Sequence, residues 1–207
     1  MIKLDFIKEH RDLYSASALR PSLVQVPALN FLMVLGQGHP DTSPRYKEAI
    51  EALYSLSYTL KFMIKKGPLQ IDYKVMPLEG LWWIEGEKEF SLEKKEDWRW
   101  IAMIMQPTLV TPELLEEAKA EVAKKRTFTL LDDIGLAQYE EGLSAQILHK
   151  GPYKEEAATI AKLNQFIAEQ AYEPAGKHHE IYLNDPRRTQ PQNLKTIIRL
   201  PVKKHNE

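Results

Sequence analysis

The chain has 207 residues, a formal net charge of −1 and no cysteine. A chain of this length buries a sizeable core, as one domain or as two fused small halves. The absence of a basic excess argues against a nucleic-acid partner. Without cysteine there is no disulfide framework, thiol nucleophile or thiolate metal site. The first six residues lack the apolar run of a signal peptide and no segment has membrane-spanning length, so we expect a cytoplasmic protein without a membrane partner.

The first portion of the chain predicts a strand, a long helix and a hairpin. The polar opening up to Pro21 is interpreted as a short helix or an arm laid over the core. Residues 23–36 favour an extended strand. Ser43 and Pro44 provide an N-cap and a first helical residue, and apolar residues at helical spacing continue from position 46 to 65. The strands predicted after this helix cover residues 69–77, 81–84 and 98–107, the last two as a pair.

The second portion repeats this order after a linking helix. Thr111 and Pro112 cap the linking helix, which is predicted over residues 111–125. A strand over residues 143–149 and a helix over residues 154–172 follow. The last two predicted strands cover residues 178–183 and 193–202.

Two portions of the chain, about 23–107 and 127–202, therefore share a strand–helix–strand–strand order within one domain spanning residues 1–207. Repeating this β-α-β-β module predicts an α+β fold with one antiparallel-rich sheet and the helices on one face. The opposite, concave face is where the two halves meet, so we expect the ligand pocket there.

The strand that begins at His178 carries the candidate reactive groups. Side chains alternate along a strand, so Glu180 and Tyr182 share one face while Ile181 takes the other. If Ile181 packs into the core, a carboxylate and a phenol face whatever lies opposite. The competing interpretation of Glu180 is an ordinary solvated side chain on a strand face.

All four tryptophans lie between positions 82 and 100. Trp98 and Trp100 share a strand face, and one of Trp82 and Trp83 is expected to join them. Indole rings supply large flat surfaces and suit aromatic or cationic small molecules. The competing interpretation is that these rings are core. Grouped in one hairpin beside the Glu180 strand, they favour a pocket.

Other chemistry is poorly supported by the residues. His178 and His179 are adjacent on a strand and point to opposite faces, so they cannot share a metal ion. The sequence contains no His-Glu-x-x-His or Gly-x-Ser-x-Gly motif. We therefore expect neither a metal nor a cofactor.

Four segments resemble the GyrI-like small-molecule-binding family, and in particular its stand-alone, tryptophan-rich branch. They are residues 73–83, 98–107, 149–153 and 180–188. The resemblance extends over nearly the whole chain and implies the duplicated fold described above. In the wider family, a glutamate at the position of Glu180 lies deep in an aromatic pocket and attracts cationic, lipophilic drugs. Tryptophan-rich relatives are linked to hydrolysis of cyclopropane-containing DNA-alkylating natural products.

The resemblance implies a detoxifying hydrolase in which Glu180, with its pKa raised by aromatic walls, activates water. Tyr182 is the first choice for the partnering tyrosine because it shares a face with Glu180. The rival tyrosines, also expected to bind the ligand beside the four tryptophans, are Tyr58, Tyr73, Tyr139 and Tyr153. The alternatives are a non-catalytic protein that binds or sequesters cationic drugs, and a protein-interaction module such as a gyrase binder. The expected partner is a hydrophobic aromatic or cationic small molecule, and a homodimer is left open.

Overall fold

A computed structural model describes residues 2–87 and 90–205, and within them the chain forms eleven strands and five α-helices. The strands are β1 (Ile2–Leu4), β2 (Ser22–Val26), β3 (Leu29–Gln37), β4 (Ile71–Tyr73), β5 (Leu78–Ile84), β6 (Trp98–Gln106), β7 (Gly135–Tyr139), β8 (Gly142–Lys150), β9 (Tyr172–Pro174), β10 (His178–Tyr182) and β11 (Lys195–Lys204). The helices are α1 (Phe6–Glu9), α2 (Arg11–Tyr14), α3 (Pro44–Lys66), α4 (Pro112–Ala123) and α5 (Ala157–Glu169).

One large antiparallel sheet dominates the described part of the chain, in the order β2-β8-β11-β10-β5-β6-β3-β7, with β9 paired to the far end of β11. The order is mirrored about its centre. On one side lie β10, β11 and β8, and on the other lie β5, β6 and β3, each set flanking one long helix in the sequence. The α+β class with an antiparallel sheet is confirmed. The expected hairpin is present as β5 and β6, with Trp82 paired to Trp100.

The two long helices of the modules lie on the same face of the sheet. Cross-strand partners share a face, and Glu180 pairs with Gly80 on one side and Ile198 on the other. Ile198 belongs to the small apolar cluster in which α5 buries Leu163 and Ile167. On the other side, Tyr46 of α3 packs against the rings of Trp82 and Trp100. Both helices therefore cover the face that carries Glu180.

Helix α3 begins and ends where its sequence dictates. The hydroxyl of Ser43 accepts a hydrogen bond from the backbone N–H of Tyr46 at 3.2 Å, and Pro44 occupies the first turn, where a missing N–H is not needed. At the other end the N–H of Gly67 donates to the carbonyl oxygen of Met63 at 2.8 Å. The N-terminal cap fixes the first turn of α3 over the centre of the sheet.

The polar N-terminal segment lies across the opposite face. The hydroxyl of Tyr14 in α2 donates to Glu79 at 2.7 Å, and the side-chain amide of Gln146 donates to the carbonyl oxygen of Asp12 at 2.8 Å. The arm expected before Pro21 is therefore present, built from one short strand and two short helices.

Several strands differ from the sequence predictions. The strand expected over residues 23–36 is divided into β2 and β3, which lie apart in the sheet, and the short strand β9 was not predicted. The strand expected over residues 69–77 is reduced to β4, which pairs in parallel with β1 outside the large sheet. Pro77 cannot donate a ladder hydrogen bond, so pairing with the large sheet begins only at Leu78. Strand β7 was not predicted, and it forms the outer edge beside β3. Among the described residues, none of the helices has both the length and the apolar character needed to cross a membrane.

Candidate functional site

A cavity of about 690 Å3 opens between the N-terminal half of α3 and the residues that precede α5. Its floor is formed by side chains of β5 and β10, the two central strands. The volume is in the range of small-molecule sites. Because α3 and the segment that leads into α5 border it, the cavity lies on the helix face of the sheet, and the expectation of a pocket on the opposite face is wrong. The aromatic residues that line it are Tyr46, Tyr54, Trp82, Trp98, Tyr153 and Tyr182.

Glu180 lies at the floor of this cavity and is buried. The hydroxyl of Tyr182 donates to its Oε2 at 2.8 Å, and Nε2 of His178 lies 2.9 Å from its Oε1. All three residues point to the same side because they alternate along β10. Gly80, the cross-strand partner of Glu180, leaves space for them, since a Cβ there would lie 2.7 Å from Nε1 of Trp82.

The expected rise in the pKa of Glu180 is wrong, because hydrogen bonding outweighs desolvation. Burial acts to raise the pKa of this carboxyl group, but the hydrogen bond and charge of His178 lower it. Hydrogen bonds from Tyr182 and Glu156 lower it further, and the net pKa lies below the usual value. Glu180 is therefore an ionised carboxylate held among donors.

Glu156 is a second carboxyl group in the cavity that the sequence did not single out. It directly precedes α5, and its backbone N–H donates to the carbonyl oxygen of Tyr153 at 3.1 Å. The residue is 2 % exposed. Burial, followed by the charge of Glu180 and a hydrogen bond with it, raises the pKa of Glu156 to about 10. One of the two carboxyl groups is thus neutral and the other ionised.

The buried tyrosines of the cavity remain protonated. Burial and the charge of Glu180 raise the pKa of Tyr182 well above its usual value, and the same two causes raise the pKa of Tyr46. The hydroxyl of Tyr182 donates to Glu180 and accepts from Nε1 of Trp82 at 3.2 Å. These phenols serve as hydrogen-bond donors and not as bases.

Several of the aromatic residues singled out in the sequence reach the cavity. Trp82 and Trp98 line it, and their rings meet edge to face with centroids 5.3 Å apart. Tyr153 lies near the opening and packs edge to face against Tyr182 at 5.7 Å. One of Trp82 and Trp83 was expected to share the face of Trp98 and Trp100, and the register of β5 and β6 shows that it is Trp82.

The other aromatic candidates lie outside the cavity. Trp100 is fully buried behind Tyr46, with ring centroids 4.9 Å apart, and Trp83 is turned to the other face, where Lys177 lies 4.9 Å from its ring. Tyr58 is 48 % exposed on α3, one turn beyond the cavity. Tyr73 and Tyr139 belong to β4 and β7, which lie outside the centre of the large sheet.

Two cavity residues that were not predicted from the sequence lie at the starts of helices. Tyr46 lies in the first turn of α3, and Glu156 directly precedes the first turn of α5. They take related places in the two modules, at the helix ends that border the cavity. His178 could have been recognised by its two-residue spacing from Glu180. Within residues 2–87 and 90–205, no three His, Asp or Glu side chains gather in a way that could hold a metal ion.

A family model describing the GyrI-like small-molecule-binding domain matches residues 20–203. This match covers most of the chain, and the chain belongs to the GyrI-like small-molecule-binding family. The cavity with its buried carboxylate is therefore the candidate ligand site of this small-molecule-binding domain. A search of curated protein sequences finds no significant match.

Solved structures agree with this assignment. An uncharacterised conserved protein from Listeria innocua is 41 % identical and superposes with a TM-score of 0.88, over 97 % of this chain and 100 % of that one. A structure described as a hydrolase from Listeria innocua is 38 % identical, with a TM-score of 0.84 and the same coverage of both chains. The C-terminal domain of EcmrR shares the fold at 15 % identity and a TM-score of 0.54, over 89 % of this chain and 98 % of that domain.

Proposed function

We propose that this protein is a hydrolase that adds water to cyclopropane-bearing, electrophilic toxins and thereby detoxifies them. The observation that carries the proposal is an ionised Glu180 at the floor of a cavity walled by aromatic rings. The structural relative described as a hydrolase, at 38 % identity over the whole of its chain, supports it further. Aromatic walls favour flat, hydrophobic substrates.

Glu180 is suited to activate one water molecule. A carboxylate offers about four acceptor positions, and the donors that reach Glu180 are His178, Tyr182 and Glu156. About one position remains for a water molecule above the floor. Fixing that water beside a bound electrophile replaces an encounter with a positioned attack, which lowers the entropic part of the barrier.

The reaction is balanced without a cofactor. The water oxygen forms a bond to a methylene carbon of the strained ring, and the ring C–C bond breaks. The electron pair of that bond moves into the conjugated dienone, which becomes a phenolate. Glu180 takes one proton from the water, and the phenolate oxygen gains one proton. The product is the substrate plus one water molecule.

The test is turnover of a cyclopropane-bearing alkylator in 18O-labelled water, followed by mass spectrometry. We expect a product that carries one 18O atom in the wild type. We expect Glu180→Gln to lower the rate by about 10²–10⁴-fold, since proton transfer by a positioned base contributes about that much. Glu155→Gln is the matched control, because Glu155 is an exposed neighbour of the cavity. Undiminished turnover in Glu180→Gln would contradict the proposal.

A non-catalytic binder of lipophilic cations is the second candidate, favoured by the same negative charge lying among aromatic rings. A buried carboxylate and π-faces both attract a cation. In this case the wild type would bind a lipophilic cation tightly and yield no water-added product. Affinity would fall in Glu180→Gln, whereas the alkylator would remain unchanged in every variant.

A further inference from the structure

We propose that Glu156 is a catalytic residue of this site, the acid that gives a proton to an acceptor oxygen of the bound substrate while Glu180 takes one from water. The inference rests on the hydrolytic function proposed above and assigns the second proton transfer of that reaction.

The position of Glu156 supports this role. Its side chain lines the cavity, and the residue is 2 % exposed, so it is largely shielded from bulk water. Its side chain also makes a hydrogen bond with Glu180, so the acid and the base of the proposed reaction lie side by side.

Tyr182 is the competing donor, and its hydrogen bonds argue against it. Its single proton is directed at Glu180 and its oxygen accepts from Trp82, so both functions of the hydroxyl are occupied. After losing its proton it would become a buried phenolate beside a carboxylate. Burial and the charge of Glu180 raise its pKa well above the usual value, which makes it a weak acid. A carboxylic acid is the better donor to a phenolate oxygen.

The protonation of Glu156 follows from the groups that face it. These are Glu180 and Tyr182 from β10, Thr196 from β11, Tyr153 from the turn before α5, and Lys95 from the segment before β6. Burial and the charge of Glu180 raise the pKa of Glu156, and the more weakly acting Thr196 and Lys95 lower it. Glu156 therefore keeps its proton while Glu180 is ionised. A protonated carboxyl group beside the bound substrate acts as a general acid.

The two carboxyl groups then complete a cycle. Glu180 takes the proton of the attacking water and becomes neutral, so it no longer holds the hydrogen bond from Glu156 as strongly. Glu156 gives its proton to the phenolate oxygen and becomes ionised. A transfer from Glu180 to Glu156 through their hydrogen bond restores the starting state. One water molecule has been added and the protein has gained or lost no proton.

Two measurements on the full chain test this assignment with Glu156→Gln and Glu155→Gln as a matched pair. The first is the infrared spectrum of the free protein near neutral pH. We expect the C=O stretch of a protonated carboxyl group, lost in Glu156→Gln and retained in Glu155→Gln. The second is the single-turnover rate with the cyclopropane-bearing alkylator. We expect a loss of about 10²-fold or more in Glu156→Gln with little change in KM, since Gln keeps a hydrogen-bond donor but has no proton to transfer. Glu155→Gln should react at the wild-type rate.

Failure of this assignment differs from failure of the hydrolytic function. If the wild type converts the alkylator and Glu156→Gln does so equally fast, or if the infrared band survives in Glu156→Gln, the assignment of Glu156 is overturned and the hydrolase stands. If the wild type yields no water-added product, the hydrolytic function is overturned and the catalytic role of Glu156 with it.

Discussion

Strand β10 separates two buried clusters of charged residues that resemble each other in composition and differ in how completely they are paired. The far-face cluster consists of Glu79, Glu141, His179 and Arg199. In this cluster, Nε2 of His179 lies 2.9 Å from Glu79, and Nδ1 of the same ring lies 3.0 Å from Glu141. Arg199 donates to Glu141 at 3.3 Å and to Gln146 at 3.0 Å. Two acids and two bases balance one another there.

The cavity cluster, on the other face, consists of Glu156, His178, Glu180 and Tyr182. It has two carboxyl groups and one histidine to pair with them, and it borders the open space of the cavity. A fully paired cluster has no capacity left for a ligand, whereas an incompletely paired one gains partners only when a ligand arrives. Burial of charge alone therefore does not mark a ligand site. Incomplete pairing beside a cavity does.

Removing the cation of the far-face cluster should have the largest effect on folding. Arg199→Met removes one of the two donors to Glu141 and the side-chain donor to the carbonyl oxygen of Leu13. Breaking a buried ion pair by deleting one partner costs about 3–5 kcal/mol. We expect that loss in the free energy of unfolding, measured by urea denaturation. Lys203→Met, which breaks an exposed pair with Glu173, should cost less than about 1 kcal/mol. Equal losses in both variants would contradict the structural role of the cluster.

The pH dependence of stability should follow from the same cluster. Burial acts to lower the pKa of His179, but Glu141 and Glu79 raise it to about 9. The unfolded value is about 6.5. Because the folded value is the higher one, the stabilisation is fully present below about pH 6.5 and is lost as the pH rises through about 9. The difference corresponds to roughly 3 kcal/mol.

Urea denaturation at intervals from about pH 6 to about pH 10 measures this loss. His179→Gln removes the titrating group. The free energy of unfolding of this variant should therefore be lower than that of the wild type at the acidic end of the range and change much less as the pH rises. A wild-type protein that keeps its full stability through that range would show that the imidazole of His179 is not held as a cation.

The sequence reveals the part of the site that depends on strand periodicity. Glu180 and Tyr182 lie on one face as predicted, and the register of β5 and β6 brings Trp82 and Trp98 to that same face. It does not reveal where a helix end lies over the sheet, because that depends on packing between distant segments. Glu156 was therefore missed.

The direction of the pKa shift at Glu180 was also misjudged from the sequence. Burial among aromatic rings alone would raise the pKa of Glu180, but the hydrogen-bond donors around it lower the pKa by more. Two of them, His178 and Tyr182, lie two residues away on either side and could have been recognised from the alternation along β10. The third, Glu156, reaches Glu180 only through the tertiary fold.

The smallest expected effects come from removing one tyrosine hydroxyl on each face of the sheet. These two variants compare the faces directly, because each face has one tyrosine that donates to one glutamate. Tyr182 donates to Glu180 at 2.8 Å in the cavity, and Tyr14 donates to Glu79 at 2.7 Å on the far face. A hydrogen bond to a charged group is worth about 1.5–3 kcal/mol.

Tyr182→Phe removes a donor that lowers the pKa of Glu180, so the acidic limb of the pH–rate profile should move upward by about one to two pH units. Tyr14→Phe should lower stability by a similar free energy and leave that limb in place, because its hydroxyl contacts no cavity residue that activates water. If both variants moved the limb equally, the two clusters would be coupled through β10, and the separation of a structural face from a reactive one would be wrong.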